Sequence, residues 1–223
     1  MTSDPHTIAL LLADARLPSG GYAFSSGLEP ALQGGLSPSE VGAFLRARAR
    51  TTTMVDAATA VVARAAGRRG DPYAPAERAW AARTPSRAAR QSSRELGRGL
   101  LRLALSLWPD SAPIAGLTRA TGGWSRPVVL GAVAAHAGLD AEALARLAVY
   151  DDMACAVAAL LKLEPGDPID GVRLVIDACA SLDSLIPQLA ALTSPEAIPA
   201  PSAPQSETWA EAHAVTNRRL FRA

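Results

Sequence analysis

Lysine is almost missing from this chain: of 22 basic residues among 223, only Lys162 is a lysine, and the rest are arginines. Because that lysine sits between two leucines, the chain holds no G-x-x-x-x-G-K-[ST] loop and cannot build that phosphate cradle. The skew also means that an arginine here carries less functional information than usual. Metal chemistry is as poorly supplied: His6, His136 and His213 are scattered, no H-x-x-x-H occurs, and the two cysteines form no C-x-x-C pair. Adjacent Asp151 and Asp152 point to different sides of a helix, which suits surface or hydrogen-bonded residues better than a cation site. There is no G-x-S-x-G elbow, and Gly97-Arg98-Gly99 falls within a helical pattern with no strand before it, which removes a dinucleotide fingerprint. A metallo- or hydrolytic enzyme is therefore not expected, nor any cofactor or bound metal.

Other shortages bound the fold and its surroundings. Cys155 and Cys179 are too few for a disulfide framework and lie in apolar helical contexts, so free buried thiols are expected. Aromatics make up only 4 % against 49 % hydrophobic residues, so the core must be mostly Ala, Leu and Val, small side chains that suit closely packed helices. No apolar run reaches the ~20 residues of a membrane span. Asp4 and Pro5 do not fit a secretory signal, and a cytoplasmic location is expected. The net charge of +1 offers no general attraction to nucleic acid or anionic membrane.

Helix signals are plentiful. A first helix is expected over residues 8–17, ended by Pro18. Ser37-Pro38-Ser39-Glu40 has the spacing of a capping box with proline at the first helical position. Val41, Phe44, Leu45, Thr52, Val55, Thr59 and Val62 then recur at helical spacing to about Ala66. A short helix is expected over 75–83 and a long one from Thr84-Pro85 to about Trp108, with Ala89, Ser92, Leu96, Leu100, Leu103 and Leu107 as its apolar face. Further helices are read over 128–137 with Gly138 as cap, from Asp140 to about Leu163, and from Asp167 onward until Pro187 breaks it. With no convincing strand pattern, the fold class is all-α, a single-domain bundle of about eight to ten helices. The domain spans 1–194, a Pro-rich linker 195–205, and a C-terminal tail 206–223.

The stretch that organises the chain runs from Leu10 to Glu29: an apolar helix, the turn Pro18-Ser19-Gly20-Gly21, then Tyr22, Phe24 and a new helix start. Tyr22 and Phe24 alternate across a bend, so one can be buried while the other faces outward. Ser26 and Glu29 have capping-box spacing. A second feature is the series Arg90, Arg94, Arg98 and Arg102 opposite the apolar face of its helix. It reads either as a solvated face or as a charged docking stripe. Gly97 and Gly99 in the same helix cost about 1 kcal/mol each relative to alanine. That cost suggests close approach of a neighbouring helix.

The run Leu-Ala-Asp-x-x-Leu-Pro-Ser-Gly-Gly-Tyr-x-x-Ser-x-Gly-Leu-Glu, ending at Glu29, resembles the N-terminal signature of the UreF family of urease accessory proteins. Arg87 to Leu103 resembles the family's central helix, and Pro127-Val128-Val129-Leu130-Gly131 its Pro-Val block. Arg219-Leu220-Phe221 resembles its terminal Arg-Leu-Phe, with His213 near the histidine that precedes it. One departure is Glu164-Pro165-Gly166-Asp167, where the family usually has Pro-Leu-Gly-Gln.

The resemblance implies an all-helical, dimeric non-enzyme that bridges the accessory protein UreD (also called UreH) to the GTPase UreG. The assembly would deliver nickel to apo-urease and allow its active-site lysine to be carbamylated. Partner-binding residues are then Tyr22, Phe24, Glu29, Arg94, Arg98, His213, Arg219, Leu220 and Phe221. The tail is expected to be mobile when free and to order on binding, by burying Leu220 and Phe221. Two other readings remain open: a regulator of the partner GTPase, acting through an arginine, and a helical nucleic-acid-binding module.

Overall fold

The computed structural model describes residues 4–118, 123–217 and 219–221. Among them there are helices and no strand, with ten α-helices of six or more residues, two shorter ones, four 3-10 turns and one π turn. The chain opens with α1 (Pro5–Ala13), which begins earlier than its apolar residues suggest because Asp4 caps it. The Asp4 carboxylate accepts from the backbone N–H groups of His6 and Thr7 at 2.9 and 3.2 Å. A corner leads to α2 (Leu28–Gln33). Ser37 and Glu40 then form the expected capping box, with Ser37 N donating to Glu40 Oε2 at 2.9 Å.

The long helix expected next is not uniform. It consists of α3 (Val41–Arg48), a widened π turn over Ala49–Thr53, and α4 (Met54–Arg69). Such π turns often mark functional segments, and this one delivers Thr53 to the Asp152 carboxylate. After Gly70, in left-handed conformation, come α5 (Ala74–Ala82) and α6 (Arg87–Leu107), the latter capped by Ser86. The short α7 (Ala112–Ala115) precedes α8 (Arg126–Ala137). Gly138 ends α8 with φ 71°, and Asp140 caps α9 (Ala141–Leu163) by accepting from Ala143 N at 2.8 Å. Asp167 likewise caps α10 (Pro168–Ala180). That helix stops before Leu182, and Pro187 falls in the first turn of the separate α11 (Ile186–Ala190), where a missing N–H costs nothing. The last helix, α12 (Pro204–Ala214), occupies residues that the sequence pattern leaves as linker end and tail.

The centre of the fold is the pairing of α4 with α8, the most extensive helix contact in the molecule; the two run in the same direction, Gly131 lying against Ala60 and Ala63 and Gly67 against Ala135. Both helices are buried on nearly all sides: Val55 and Ala57–Ala63 on one, Pro127–Ala134 on the other. They approach so closely because the contact is made of small residues. A Cβ on Gly131 would come closer than 3.0 Å to the Ala60 carbonyl oxygen and the Ala63 methyl. The alanine-rich, aromatic-poor composition thus has a direct geometric use. α9 crosses this pair and carries α10 and α11, while α6 covers α8 from the other side.

The apolar side of α6 is narrower than its sequence suggests. Gly97, Leu100 and Ala104 are buried, whereas Leu107 is exposed. Its two glycines do mark close approach, but of loop backbone, not of a helix. A Cβ on Gly97 would meet the Trp124 carbonyl oxygen, and one on Gly99 the Ser19 carbonyl oxygen, each closer than 3.0 Å.

Candidate partner-binding site

The corner between α1 and α2 is shaped by left-handed residues. Gly20 has φ 89°, and Ser26 and Gly27 follow each other at φ 50° and 78°. For Ser26 this conformation costs on the order of 1–2 kcal/mol. Its hydroxyl is placed to bond Asp152 and Cys155 on α9, which offsets that strain. The corner throws Tyr22 outward, 72 % exposed, and turns Phe24 into the core.

The expected cap does not form. Gly27 stands at the N-cap of α2, and it is the Ser25 hydroxyl that accepts from Glu29 N, at 3.2 Å. This frees the Glu29 carboxylate, which turns inward, 2 % exposed, and meets the far end of the chain.

Glu29 joins the two termini. Its carboxylate accepts from Leu220 N at 2.7 Å and Phe221 N at 2.8 Å, and it pairs with His213 Nε2 at 3.1 Å. Gln33 adds a further bond at 3.3 Å. α12 is itself anchored at two more points. The Trp209 indole fills a notch at Gly34 that any side chain there would block, and its ring lies 6.5 Å from that of Phe44. Glu211 Oε1 accepts from Ser86 Oγ at 2.6 Å and Ala88 N at 2.9 Å, at the N-terminus of α6. The Ser86 bond first, and then the Ala88 N–H, hold the Glu211 carboxyl below its usual range.

Beneath the corner and tail lies a cavity of ≈ 520 Å³. Its floor is charged. Arg48 binds Asp152 through two hydrogen bonds, Nε to Oδ2 at 2.8 Å and Nη2 to Oδ1 at 3.0 Å, and Thr53 Oγ1 donates to the same carboxylate at 2.5 Å. Arg126 Nη2 binds Asp151 Oδ2 at 2.5 Å. Burial raises the Asp152 carboxyl, but the Arg48 guanidinium, with the Arg48, Thr53 and Ser26 hydrogen bonds, outweighs it and leaves the group below its ordinary range. Asp56 has no such partner. Trp80 Nε1 donates to its Oδ1 at 2.7 Å, yet burial and then the neighbouring Asp152 charge push its pKa up to about 7. Cys155 also lines the cavity, its thiol held up by burial, with Sγ 3.4 Å from the Phe24 carbonyl oxygen. Both cysteines are free and half-buried.

The residues singled out in the sequence fall into three groups. Tyr22, Arg219 and Leu220 are exposed, with Leu220 at 64 %. Phe24, Glu29, His213 and Phe221 are buried beside them and form the support for that surface. Arg94 and Arg98 lie elsewhere, on α6. Arg94 is committed internally: it binds Glu77 Oε1 at 3.0 Å, and the other oxygen of Glu77 accepts from Ser125 N and Oγ at 3.0 and 2.7 Å. The Arg98 side chain is 64 % exposed and only 3.8 Å from Glu95. Sequence reasoning missed Asp56 altogether. The signal available was a carboxylate in the otherwise apolar run Met54-Val55-Asp56-Ala57-Ala58. Among the described residues no group of three or more His, Cys, Asp or Glu could hold a metal, and no helix is long and apolar enough to cross a membrane.

Comparison with known proteins agrees with this architecture. The family model described as UreF matches residues 36–179. This chain belongs to the UreF family. The urease accessory protein UreF of Mycobacterium marinum is 39 % identical over 227 residues, covering 96 % of this chain and 98 % of its own length. The protein of the same name from Mycobacterium sp. strain JLS is 43 % identical over 166 residues, and that of Mycobacterium tuberculosis H37Rv is 40 % identical over 173. Each of these two alignments covers 72 % of this chain and 75 % of the relative. The family is one of urease accessory proteins, and the chain is accordingly an accessory protein and not the urease itself.

Proposed function

We propose that this UreF-family chain is a non-catalytic scaffold in the maturation of urease by nickel insertion. In this reading it bridges UreD/UreH to the GTPase UreG and presents both to apo-urease, working as a homodimer in the cytoplasm. The observation that carries the proposal is the union of the two terminal motifs at Glu29. The N-terminal corner and C-terminal tail lie side by side and offer one surface, with Tyr22, Arg219 and Leu220 outward over a buried support of Phe24, Glu29, His213 and Phe221. Exposed aromatic, arginine and leucine side chains over a buried, hydrogen-bonded base suit the centre of a protein interface. Exposed apolar side chains elsewhere, Tyr150 on α9 and Ile169, Val172 and Ile176 on α10, support association with a second copy.

Removing residues 216–223 is expected to leave the helical circular dichroism unchanged and to abolish co-purification with UreD/UreH. Leu220→Ala and Tyr22→Ala should each weaken that capture by roughly tenfold or more, the scale of one interface anchor. Undiminished capture by all three variants would remove the proposed surface. A regulatory role toward the GTPase has one observation in its favour, the exposed and loosely held Arg98. Unaltered GTP turnover by UreG in the presence of Arg98→Ala, relative to the unmodified chain, excludes that arginine.

A further inference from the structure

We propose that the side of α6 turned away from the interior cavity is a second docking surface, a groove of arginines that takes an acidic segment of a protein partner. The groove has a volume of ≈ 360 Å³ and is lined by Arg87, Arg90, Gln91, Arg94 and Arg98. At about 100° per residue these five lie opposite Ala89, Ser92, Ser93 and Leu96, which face the cavity. This deepens the scaffold role proposed above, on which it rests: a bridge needs a surface for each of two partners. The groove does not include Gly99, where the corner that presents Tyr22 meets α6.

Four guanidinium groups along one groove are a local concentration of charge in a chain whose net charge is only +1. Two of them are held in place from below. Arg90 Nη1 donates to the Thr84 and Pro85 carbonyl oxygens, both at 2.6 Å, which fixes the guanidinium without neutralising it. Arg94 is bound to Glu77 and lies over the Trp80 ring, 5.8 Å from its centroid. Arg87 and Arg98 are the exposed pair at the two ends, and Arg98 approaches Glu95 only to 3.8 Å. Glu211, which senses the Arg90 charge, is itself committed to Ser86 Oγ and Ala88 N. A guanidinium already fixed loses little freedom on pairing with a carboxylate, so the groove is preorganised. From Arg87 to Arg98 the helix rises roughly 16 Å, and Arg90, Arg94 and Arg98 follow one another at about 6 Å along its axis. Carboxylates at every fourth position of a partner helix repeat at that same spacing. Cations strung along a line suit such a row of carboxylates better than a single phosphate. None of the lining residues is aromatic, so the bases of a nucleic acid have nothing there to stack on.

Fluorescence anisotropy with the full-length chain tests this at low salt, the probe being a labelled alanine-rich peptide with glutamate at every fourth position. The groove variant Arg87→Gln/Arg98→Gln is compared with Arg46→Gln/Arg68→Gln, which removes the same charge from exposed positions on α3 and α4. Parent and control are expected to bind alike, and the groove variant at least about fivefold more weakly, the scale of two exposed ion pairs. Equal weakening by the two double variants would reduce the effect to net charge and overturn the proposal. So would binding of the glutamate peptide no tighter than that of its glutamine counterpart, or tighter binding of a single-stranded oligonucleotide of the same charge. None of these outcomes touches capture through Tyr22 and Leu220, so the groove and the scaffold role can fail separately.

Discussion

Asp56→Asn should make the folded chain more stable at pH 8, by on the order of 3 kcal/mol, and leave it little changed below pH 4. The Asp56 carboxylate lines the cavity and accepts from Trp80 Nε1, and among the described residues no cation is bound to it. Burial first, and the Asp152 charge second, raise its pKa from 3.8 to about 7. Below pH 4 the carboxyl is protonated in folded and unfolded chains alike, and the site is neutral in both. Between pH 4 and 7 the unfolded chain releases the proton while the folded one keeps it, so stability falls as pH rises. Above pH 7 the folded chain ionises too, and the loss is complete and constant. Asparagine keeps the oxygen that accepts from Trp80 and never ionises, so it abolishes this slope.

Urea unfolding of both proteins from pH 4 to 8 measures the difference directly. Parallel stability curves would show that Asp56 is ionised at no cost. Asp152 acts in the opposite sense: its lowered pKa contributes stability that is lost as pH falls toward the acid range. That contribution is common to both proteins and cancels in the comparison.

Gly99→Ala should destabilise the chain by several kcal/mol, although alanine is favoured over glycine by about 1 kcal/mol in an isolated helix. The added methyl group would press on the Ser19 carbonyl oxygen, which is backbone and cannot rotate aside. Gly97→Ala should behave alike, because its methyl would meet the Trp124 carbonyl oxygen. Thermal unfolding of the two variants checks the sign, and a melting temperature at or above that of the parent would refute it. Gly99 has a second consequence. Ser19 belongs to the corner that presents Tyr22, so a partially folded Gly99→Ala chain should also lose capture of the accessory partner. Gly97→Ala presses on the segment before α8 and not on the corner itself, and should lose less capture for the same loss of stability.

The helix starts were legible without coordinates. Ser37 with Glu40, Asp140 and Asp167 all cap where their spacing indicates, and Gly138 stops α8. The departures have physical causes of two kinds. Asp4 extends α1 beyond its apolar residues, and Gly27 displaces Ser26 as the cap of α2, because a left-handed backbone at two successive positions cannot be read from side-chain chemistry alone. The π turn over Ala49–Thr53 leaves almost no mark on hydrophobic spacing, since it adds one residue to a pattern that is already irregular.

By itself, then, the order of residues determined an all-helical chain, closely packed through alanine and glycine, with neither a G-x-x-x-x-G-K-[ST] loop nor a G-x-S-x-G elbow. Those properties depend on neighbours within four positions or on simple absence. The tertiary structure alone decided which carboxylates serve what. Glu29 could have capped its own helix, but it binds Leu220 and Phe221 some 190 residues away. Asp151 and Asp152, adjacent in sequence, are drawn to Arg126 and Arg48 on different helices, and Asp56 is left with neither. Helix periodicity says which side of a rod a charge lies on. Only the packing of the rods says which opposite charge, or none, it will find there.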